Sequence, residues 1–366
     1  MVWYEIKNAD TVDSPALLIY KDRMLTNIAA ALNRLQHQTQ RFRPHVKTNK
    51  TPEVCQAMLD AGIIQFKCAT IAEAEMLAQI QAPDILLAYQ PVGPKINRWV
   101  ALQQRYPKTV FACLTDNILT AQQIAAAHAH TGLVAKVYID MNNGMNRTGA
   151  PLASVPELLK QLLKTNYLTV MGLHVYDGHI RKPGAEERKQ ASDAAFAPVA
   201  AMQQALRQQH QISLPIVAGG SATFAAHAQR NEVVCSPGTF IFWDAGYQQL
   251  MPEEPFQWAA VLITRVISII NPITITTDLG HKSVAAENPF PRVVFLNADA
   301  EPIGQSEEHL VLKVADASAF TPGQVLYAIP IHICPTVALY QDLQIVENNK
   351  VITTWKVIAR DRTITI

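Results

Sequence analysis

Residues 43–50 form the segment whose residue types and spacing best suit covalent chemistry, and they read Arg-Pro-His-Val-Lys-Thr-Asn-Lys. They lie in a strand-like run, and in a strand the side chains at positions i and i+2 share a face. Arg43, His45 and Lys47 would therefore point into one pocket. A lysine held among cationic groups has a lowered pKa and becomes an amine nucleophile. The segment thus predicts that Lys47 forms an imine with a carbonyl compound; three solvated charges on an exposed edge are the alternative.

A glycine-rich segment further along, residues 219–223, has the composition of an anion-binding loop, Gly-Gly-Ser-Ala-Thr. It follows a strand-like run and precedes a helical one. Glycines let backbone N–H groups approach a phosphate, and a helix N-terminus favours the anion. With added hydroxyl groups from Ser221 and Thr223, the segment predicts a phosphate site, and an ordinary glycine turn is the alternative.

Residues 331–336, reading Ile-His-Ile-Cys-Pro-Thr, contain two metal-binding residue types at spacing i, i+2. On a strand, the imidazole of His332 and the thiolate of Cys334 would converge on one ion. Zn²⁺ accepts nitrogen and sulfur ligands and can keep a position open for water or substrate. On these two residues alone, a buried cysteine beside a surface histidine is the alternative.

The elements that must position these residues alternate between strand and helix over the first two thirds of the chain. The eight strand-like runs are 42–47, 66–70, 85–88, 110–114, 134–140, 170–176, 216–219 and 233–236. Such alternation predicts βαβ units with parallel pairing, and eight units predict an α/β fold, a TIM-like (β/α)₈ barrel. A doubly wound open sheet is the alternative. The loops after strands seven and eight, which commonly bind phosphate in such barrels, would contain residues 219–223 and 236–239.

The sequence pattern changes near residue 255. After this point, strand-like runs separated by glycine, proline and asparagine replace the helical periodicity. These runs are 259–270, 273–278, 292–297, 309–314, 324–331, 343–347 and 351–359, and Asn348-Asn349 between the last two signals a hairpin. We therefore expect a barrel domain over residues 1–255 and an all-β domain over residues 256–366 that carries His332 and Cys334. We expect the first 20 or so residues to pack on the β domain.

Composition excludes several classes of function. The net charge of +1 over 366 residues argues against nucleic-acid binding, which needs a concentrated basic surface. No apolar run approaches the ~20 residues that span a bilayer, and the first residues are mixed and charged, so we expect no membrane partner and a cytoplasmic location. The five cysteines are scattered and odd in number, which favours reduced thiols.

The lysine segment resembles the pyridoxal-phosphate lysine motif of D-threonine aldolases and eukaryotic-type D-serine dehydratases, which belong to the alanine-racemase-like group of fold type III. The resemblance implies that Lys47 binds pyridoxal 5'-phosphate covalently. Asn49 departs from the family, which usually has histidine there. Residues 144–149, Gly-Met-Asn-Arg-Thr-Gly, resemble the alanine racemase loop whose arginine hydrogen-bonds the phenolic oxygen of the cofactor. This implies the same role for Arg147, and a barrel followed by a β domain is also the layout of this group.

The same resemblance assigns the cofactor phosphate to both predicted loops, which adds Gly238 and Thr239 to the segment that begins with Gly219 and Gly220. Residues 173–179 resemble a family segment with an aromatic residue near the cofactor and polar groups near the substrate. We therefore expect Tyr176 to contact the cofactor, and buried residues with satisfied polar tips are the alternative.

Two further residues within these segments complete the predicted site. His179 is a possible base, and His45 is expected to contact the cofactor. His332 and Cys334 match the pair that holds a divalent cation in this family. The cysteine favours Zn²⁺, with Mn²⁺ as the alternative.

The resemblance covers nearly the whole chain and implies a lyase that depends on pyridoxal phosphate and a divalent metal and acts on D-3-hydroxy amino acids. D-threonine aldolase is the first candidate. A D-serine or 3-hydroxy-D-aspartate dehydratase is the second, an amino-acid racemase the third, and a non-catalytic pyridoxal-binding protein the fourth. A carrier needs no metal, so the His332–Cys334 pair argues against the last. The family also implies a homodimer.

Overall fold

The computed structural model describes residues 2–366, which form two compact units. We call the first the barrel unit, which comprises Ala31–Lys47, Cys55–Gly238 and Asp361–Ile366. The second is the β unit, which comprises residues 2–30, Thr48–Val54 and Thr239–Arg360. The division into domains at residue 255 stays a prediction.

Seven parallel strands make up the sheet of the barrel unit, and strands that follow one another in this series pair directly. They are Gln65–Cys68, Asp84–Leu87, Val110–Thr115, Ala135–Asn142, Leu168–Val175, Ile216–Ala218 and Val233–Cys235. A two-residue strand, Ala150–Pro151, pairs with the end of Ala135–Asn142. The helices of the unit are Ile71–Gln79, Pro94–Arg105, Ile118–Ala129, Val155–Leu162, Ala185–His210 and Phe224–Ala228. Lys21–Arg34 and Pro52–Asp60 are also helical.

The segment that precedes Lys47 joins the last strand of this sheet to the first. Phe42 forms a parallel bridge with Cys235, and His45 forms one with Lys67. The Lys67 amide donates to the Pro44 carbonyl at 2.9 Å. The predicted barrel followed by an all-β region is confirmed, but the first predicted strand, 42–47, is wrong as a continuous strand. Pro44 has no N–H with which to continue a ladder, and residues 46–48 turn into a 3₁₀ helix.

The β unit contains a nine-stranded sheet in which Ala16–Tyr20 pairs antiparallel with Ala260–Asn271 and parallel with Asp342–Glu347. Its other strands are Thr274–Thr277, Val293–Phe295, Ala300–Gln305, Leu310–Val314, Val325–Pro330 and Lys350–Lys356. Leu18, Val261 and Ile263 lie in its buried core. The helices Ala245–Leu250 and Ile333–Leu339 complete the unit. No helix among residues 2–366 is long and apolar enough to cross a membrane.

Candidate active site

Lys47 and Arg43, which the sequence predicts in one pocket, lie toward opposite ends of the barrel strands. The guanidinium of Arg43 binds the carboxylate of Asp84, with Nη1 and Oδ1 2.7 Å apart, and Asp84 is the first residue of its strand. The Lys47 ammonium lies 5.7 Å from the ring centroid of Tyr176, which follows the end of the strand Leu168–Val175. Four residues of extended chain span roughly 13 Å, so a shared strand face does not bring both side chains to one place. Arg43 therefore stabilises the barrel through its ion pair.

His45 is buried and holds the backbone of the lysine segment. Its ring nitrogen Nδ1 accepts a hydrogen bond from the Lys47 amide at 3.2 Å. The predicted contact of His45 with the cofactor stays a prediction, and the observed contact fixes the direction in which Lys47 leaves the chain.

Three cationic side chains of the barrel unit, including Lys47, lie near the Tyr176 ring. The Arg147 guanidinium lies 4.8 Å from the ring centroid, and the ammonium of Lys67 lies 6.0 Å from it. A Cβ atom at Gly220 would be 3.0 Å from the ring edge, and one at Gly178 would be 2.4 Å from it. An aromatic face, three cations and close backbone approaches form a setting that suits a planar, anionic ligand.

Arg147 lies in a loop whose shape is fixed by hydrogen bonds to the Asn142 side chain. The Asn142 side-chain oxygen accepts from the amides of Gly144 and Asn146, at 3.0 and 3.1 Å. His179, which is exposed, packs against Gly144, where a Cβ atom would be 3.0 Å from its ring nitrogen Nε2.

Asn143, in the same loop, is buried and points to a missing partner. Among residues 2–366, neither atom of its amide group has a hydrogen-bond partner. An orphaned buried amide is costly in a folded protein, and a bound ligand is one way to satisfy it.

The predicted phosphate loop is held from behind by a buried carboxylate. Asp177 accepts from the Thr223 hydroxyl at 2.7 Å and contacts the His227 ring at 2.8 Å. Burial alone would raise the pKa of Asp177, but the contacts with His227 and Thr223 hold it below its ordinary value. The predicted use of the Thr223 hydroxyl as a free phosphate donor therefore needs correction, because that hydroxyl already donates to Asp177. Gly219 has φ +78°, and a Cβ atom there would lie 2.5 Å from His227.

The two predicted phosphate loops meet within the barrel unit. The Gly238 amide donates to the Ser221 hydroxyl at 3.3 Å. Gly219 and Gly220 lie in the first of these loops and Gly238 in the second. Thr239 belongs to the β unit, where its hydroxyl lies 3.5 Å from the sulfur of Cys334.

The predicted metal pair lies in the β unit at the start of a helix, so the predicted placement of His332 and Cys334 on a strand is wrong. The strand ends at Pro330, and His332 is the residue before the helix Ile333–Leu339. Pro335 cannot continue a ladder but fits the first turn of a helix. Asp244 satisfies the start of that helix by accepting from the Ile333 amide at 3.0 Å.

The side chains of His332 and Cys334 still lie together, because both residues are at the start of this helix. Burial lowers the pKa of His332, whereas the Cys334 thiol and the Glu287 carboxylate raise it more, to about 9. Glu287 contacts ring nitrogen Nδ1 of His332, and the Thr48 hydroxyl lies 3.1 Å from the sulfur of Cys334. Metal-binding histidines commonly use their second nitrogen in this way.

Two ligands do not close a metal site. No cluster of three or more histidine, cysteine or acidic side chains suited to a metal occurs within residues 2–366. The role of His332 and Cys334 as metal ligands stays a prediction.

A second lysine in the barrel, Lys67, was not predicted from the sequence. It lies on the first paired strand and is 1% exposed. Burial lowers its pKa to about 7, the charge of Lys47 acts in the same direction, and Asp140 and Asp177 partly offset both. A single charge inside a predicted buried strand was the available signal, since lysine is almost never fully buried without a partner.

Comparisons with known proteins agree with this architecture. The profile of the alanine racemase N-terminal domain matches residues 19–245, and the profile described as "Putative serine dehydratase domain" matches residues 259–346. The 3-hydroxy-D-aspartate aldolase of Paracoccus denitrificans (strain Pd 1222) is 27% identical over 96% of this chain and 93% of its own. The D-threo-3-hydroxyaspartate dehydratase of Delftia sp. (strain HT23) is 26% identical over 94% of this chain and 97% of its own. The crystal structure of D-threonine aldolase from Filomicrobium marinum has a TM-score of 0.89 at 25% identity, covering 98% of each chain.

Proposed function

Since the chain belongs to the family defined by the alanine racemase N-terminal domain, we propose that it is a lyase dependent on pyridoxal phosphate and a divalent metal that cleaves D-3-hydroxy amino acids. D-threonine aldolase, which yields glycine and acetaldehyde, is the first candidate. The relatives that match over nearly the whole chain include aldolases and a dehydratase of such substrates, which supports the class of reaction.

The observation that carries the proposal is the convergence of Lys47 and Arg147 on the Tyr176 ring. Pyridoxal phosphate fits these residues, since an aldehyde needs an amine, a phenolate needs a cation, and a planar ring needs a flat apolar face. Lys47 would hold the aldehyde carbon, Arg147 the phenolic oxygen and Tyr176 the ring. The orphaned amide of Asn143 is an additional polar group for the bound cofactor or substrate.

The cofactor phosphate would be held by the two loops that meet through Ser221. Gly219, Gly220 and Gly238 let an anion come close to the backbone of these loops, because these residues have no side chain. When bound, pyridoxal phosphate supplies an electron sink for the bonds to the substrate Cα.

The metal would be held by His332 and Cys334, with Zn²⁺ favoured by the nitrogen and sulfur donors. The contact with Glu287 fixes the orientation of the imidazole, and the Thr48 hydroxyl hydrogen-bonds the cysteine sulfur. In this role the ion would act as a Lewis acid toward the substrate β-hydroxyl. Thr48 follows Lys47 directly in the chain.

The proton that the active-site residues move decides between the two lyase reactions. In an aldolase, a base such as His179 takes the β-hydroxyl proton and the Cα–Cβ bond breaks. In a dehydratase, Lys47 takes the Cα proton and the β-hydroxyl leaves, which gives a 2-oxo acid and ammonia. His179 is exposed beside Gly144, and a role for it as this base would favour the aldolase.

Product analysis tests the proposal. The protein with pyridoxal phosphate and Zn²⁺ or Mn²⁺ is incubated with D-threonine, and in parallel with 3-hydroxy-D-aspartate, and Lys47→Ala serves as the inactive control. Glycine with an aldehyde supports the aldolase, whereas a 2-oxo acid with ammonia moves the assignment to the dehydratase. Neither product from a protein with a visible cofactor band would refute the lyase and favour the racemase or the carrier. The homodimer and the cytoplasmic location stay predictions.

A further inference from the structure

The interior of the barrel contains a polar layer where such barrels normally have branched apolar side chains. Residues paired across parallel strands face the same side of a sheet. Asp140 pairs with His174, and His174 pairs with Val217, a residue of the apolar cluster inside the barrel. Lys67 pairs with Leu86 of the same cluster, so it faces the interior as well. Asp140 is 6% exposed and His174 is 4% exposed, so the layer is shielded from water.

Lys67 is surrounded by charges of both signs. The titratable and charged groups that act on it from the neighbouring elements are Lys47, Arg43, Asp140, Asp177 and His174. Burial and the two cations favour the neutral amine, and the carboxylates favour the ammonium. The pKa of about 7 that results leaves both forms populated at neutral pH.

Asp140 and His174 form a fixed pair beside Lys67. Ring nitrogen Nδ1 of His174 lies 2.7 Å from Asp140, and the Thr148 hydroxyl donates to the second carboxylate oxygen at 2.9 Å. Burial lowers the pKa of His174, and the hydrogen bond to Asp140 offsets part of this lowering. The imidazole is therefore neutral at pH 7. A carboxylate only accepts, so Nδ1 carries the hydrogen and Nε2 presents a lone pair.

The lone pair on Nε2 of His174 is buried and, within residues 2–366, has no hydrogen-bond partner. An unsatisfied buried acceptor indicates a ligand or a mobile proton in the layer. The ammonium groups of Lys47 and Lys67 both lie within 6.0 Å of the Tyr176 ring centroid, so the polar layer and Lys47 belong to one site.

We propose that Lys67 is a second acid–base residue of the pyridoxal site, with Asp140 and His174 as its positioning residues; this inference rests on the proposed function. The Lys67 amine takes one proton from the ammonium group of the amino-acid substrate and becomes an ammonium itself. The substrate nitrogen then has the lone pair it needs to form an imine. Lys67 returns the proton to the amino group of the product, so no electrons are gained or lost.

The test uses the cofactor-loaded protein and the pH dependence of its visible absorption band. The rate at which D-threonine shifts the band is measured by stopped flow between about pH 6 and pH 9, and the band is also titrated without substrate. In the wild type, the rate should rise with pH through a step that reports the loss of the Lys67 proton. Lys67→Met and Lys67→Gln should slow the shift by at least about 100-fold and remove the step.

Glutamine keeps hydrogen bonds but cannot titrate, so it separates proton transfer from a polar structural role. Lys95→Met is the matched control, because Lys95 also lies over a tyrosine ring, 4.4 Å from the centroid of Tyr89, but is exposed to solvent. If both Lys67 variants kept the wild-type rate and step, the inference would be overturned and the proposed function would stand. If the wild type bound no pyridoxal phosphate at all, the proposed function itself would fail.

Discussion

Replacing Lys67 by methionine should stabilise the protein freed of pyridoxal phosphate, and the gain should be largest at low pH. Lys67 is fully buried on the strand Gln65–Cys68, and its pKa is lowered from 10.5 to about 7. Methionine has a similar length and no charge, so it can occupy the same space without the cost of burying an ammonium.

The magnitude follows from the two pKa values and the sign from proton binding. Below pH 7 the folded protein buries a charged Lys67, and a lowering from 10.5 to 7 costs about 5 kcal/mol at 1.36 kcal/mol per pKa unit. Between pH 7 and 10.5 the unfolded chain binds the proton more strongly, so wild-type stability rises with pH and the cost disappears. The advantage of Lys67→Met should therefore fall by about 3 kcal/mol between about pH 6 and pH 9.5.

Urea unfolding of the wild type and of Lys67→Met at about pH 6, 8 and 9.5 measures this difference, with Lys95→Met as the control for the loss of one lysine. The m-values must agree between variants for the comparison to hold. A gain that is the same at all three pH values would mean that packing alone is responsible and that Lys67 does not titrate in this range. A loss of stability that deepens toward low pH would refute the reasoning, because it would require the buried ammonium to be favourable.

Three further substitutions test the rest of the site. Lys47→Ala should abolish the visible band of the bound cofactor in an absorption spectrum, and a band at full strength would contradict the role of Lys47. Glu287→Gln should weaken metal binding about 10- to 100-fold by calorimetry and leave the cofactor band unchanged, because it frees the imidazole of His332; unchanged affinity would remove Glu287 from the site. Gly219→Ala should lower stability by more than the roughly 1–2 kcal/mol of a left-handed residue and weaken cofactor binding. Gly132→Ala, also at positive φ but with nothing within 4 Å, should show the backbone cost alone.

The strands of the barrel could be predicted to within a few residues, because apolar runs and helical periodicity are local properties. Two strand placements failed, the run 42–47 and the placement of His332 and Cys334 on a strand, and a proline lies in each segment. Pro44 and Pro335 have no N–H to place in a ladder; a 3₁₀ helix begins two residues after Pro44, and Pro335 lies in the first turn of a helix.

The Asn348-Asn349 hairpin was predicted from its residue types. Both residues have positive φ, 53° and 58°, and they connect Asp342–Glu347 to Lys350–Lys356. Asparagine tolerates this conformation better than other residues with a side chain, so the sequence was sufficient at this turn.

The polar layer in the barrel could not be predicted, because it depends on the register between strands. Lys67, Asp140 and His174 are far apart in the sequence, and no local pattern shows that the three lie together. Only the pairing of Lys67 with Leu86 and of Asp140 with His174 shows that all three face the interior. The same holds for the hydrogen bond that removes Thr223 as a free donor, since its acceptor Asp177 lies 46 residues earlier.

Several positions where this chain departs from what a stable barrel requires belong to the elements around Tyr176. A lysine replaces an apolar residue inside the barrel, an asparagine amide and a histidine nitrogen are buried without partners, and Gly219 takes a conformation that side chains disfavour. Each of these departures costs stability, and buried polar atoms without partners also occur at Arg43, His210, Trp258 and Thr277. Local conflicts of this kind are expected at functional sites, where selection acts on chemistry as well as on folding. The group of departures around Tyr176 therefore agrees with the site that the convergence of cations indicates, and it does so without reference to any relative.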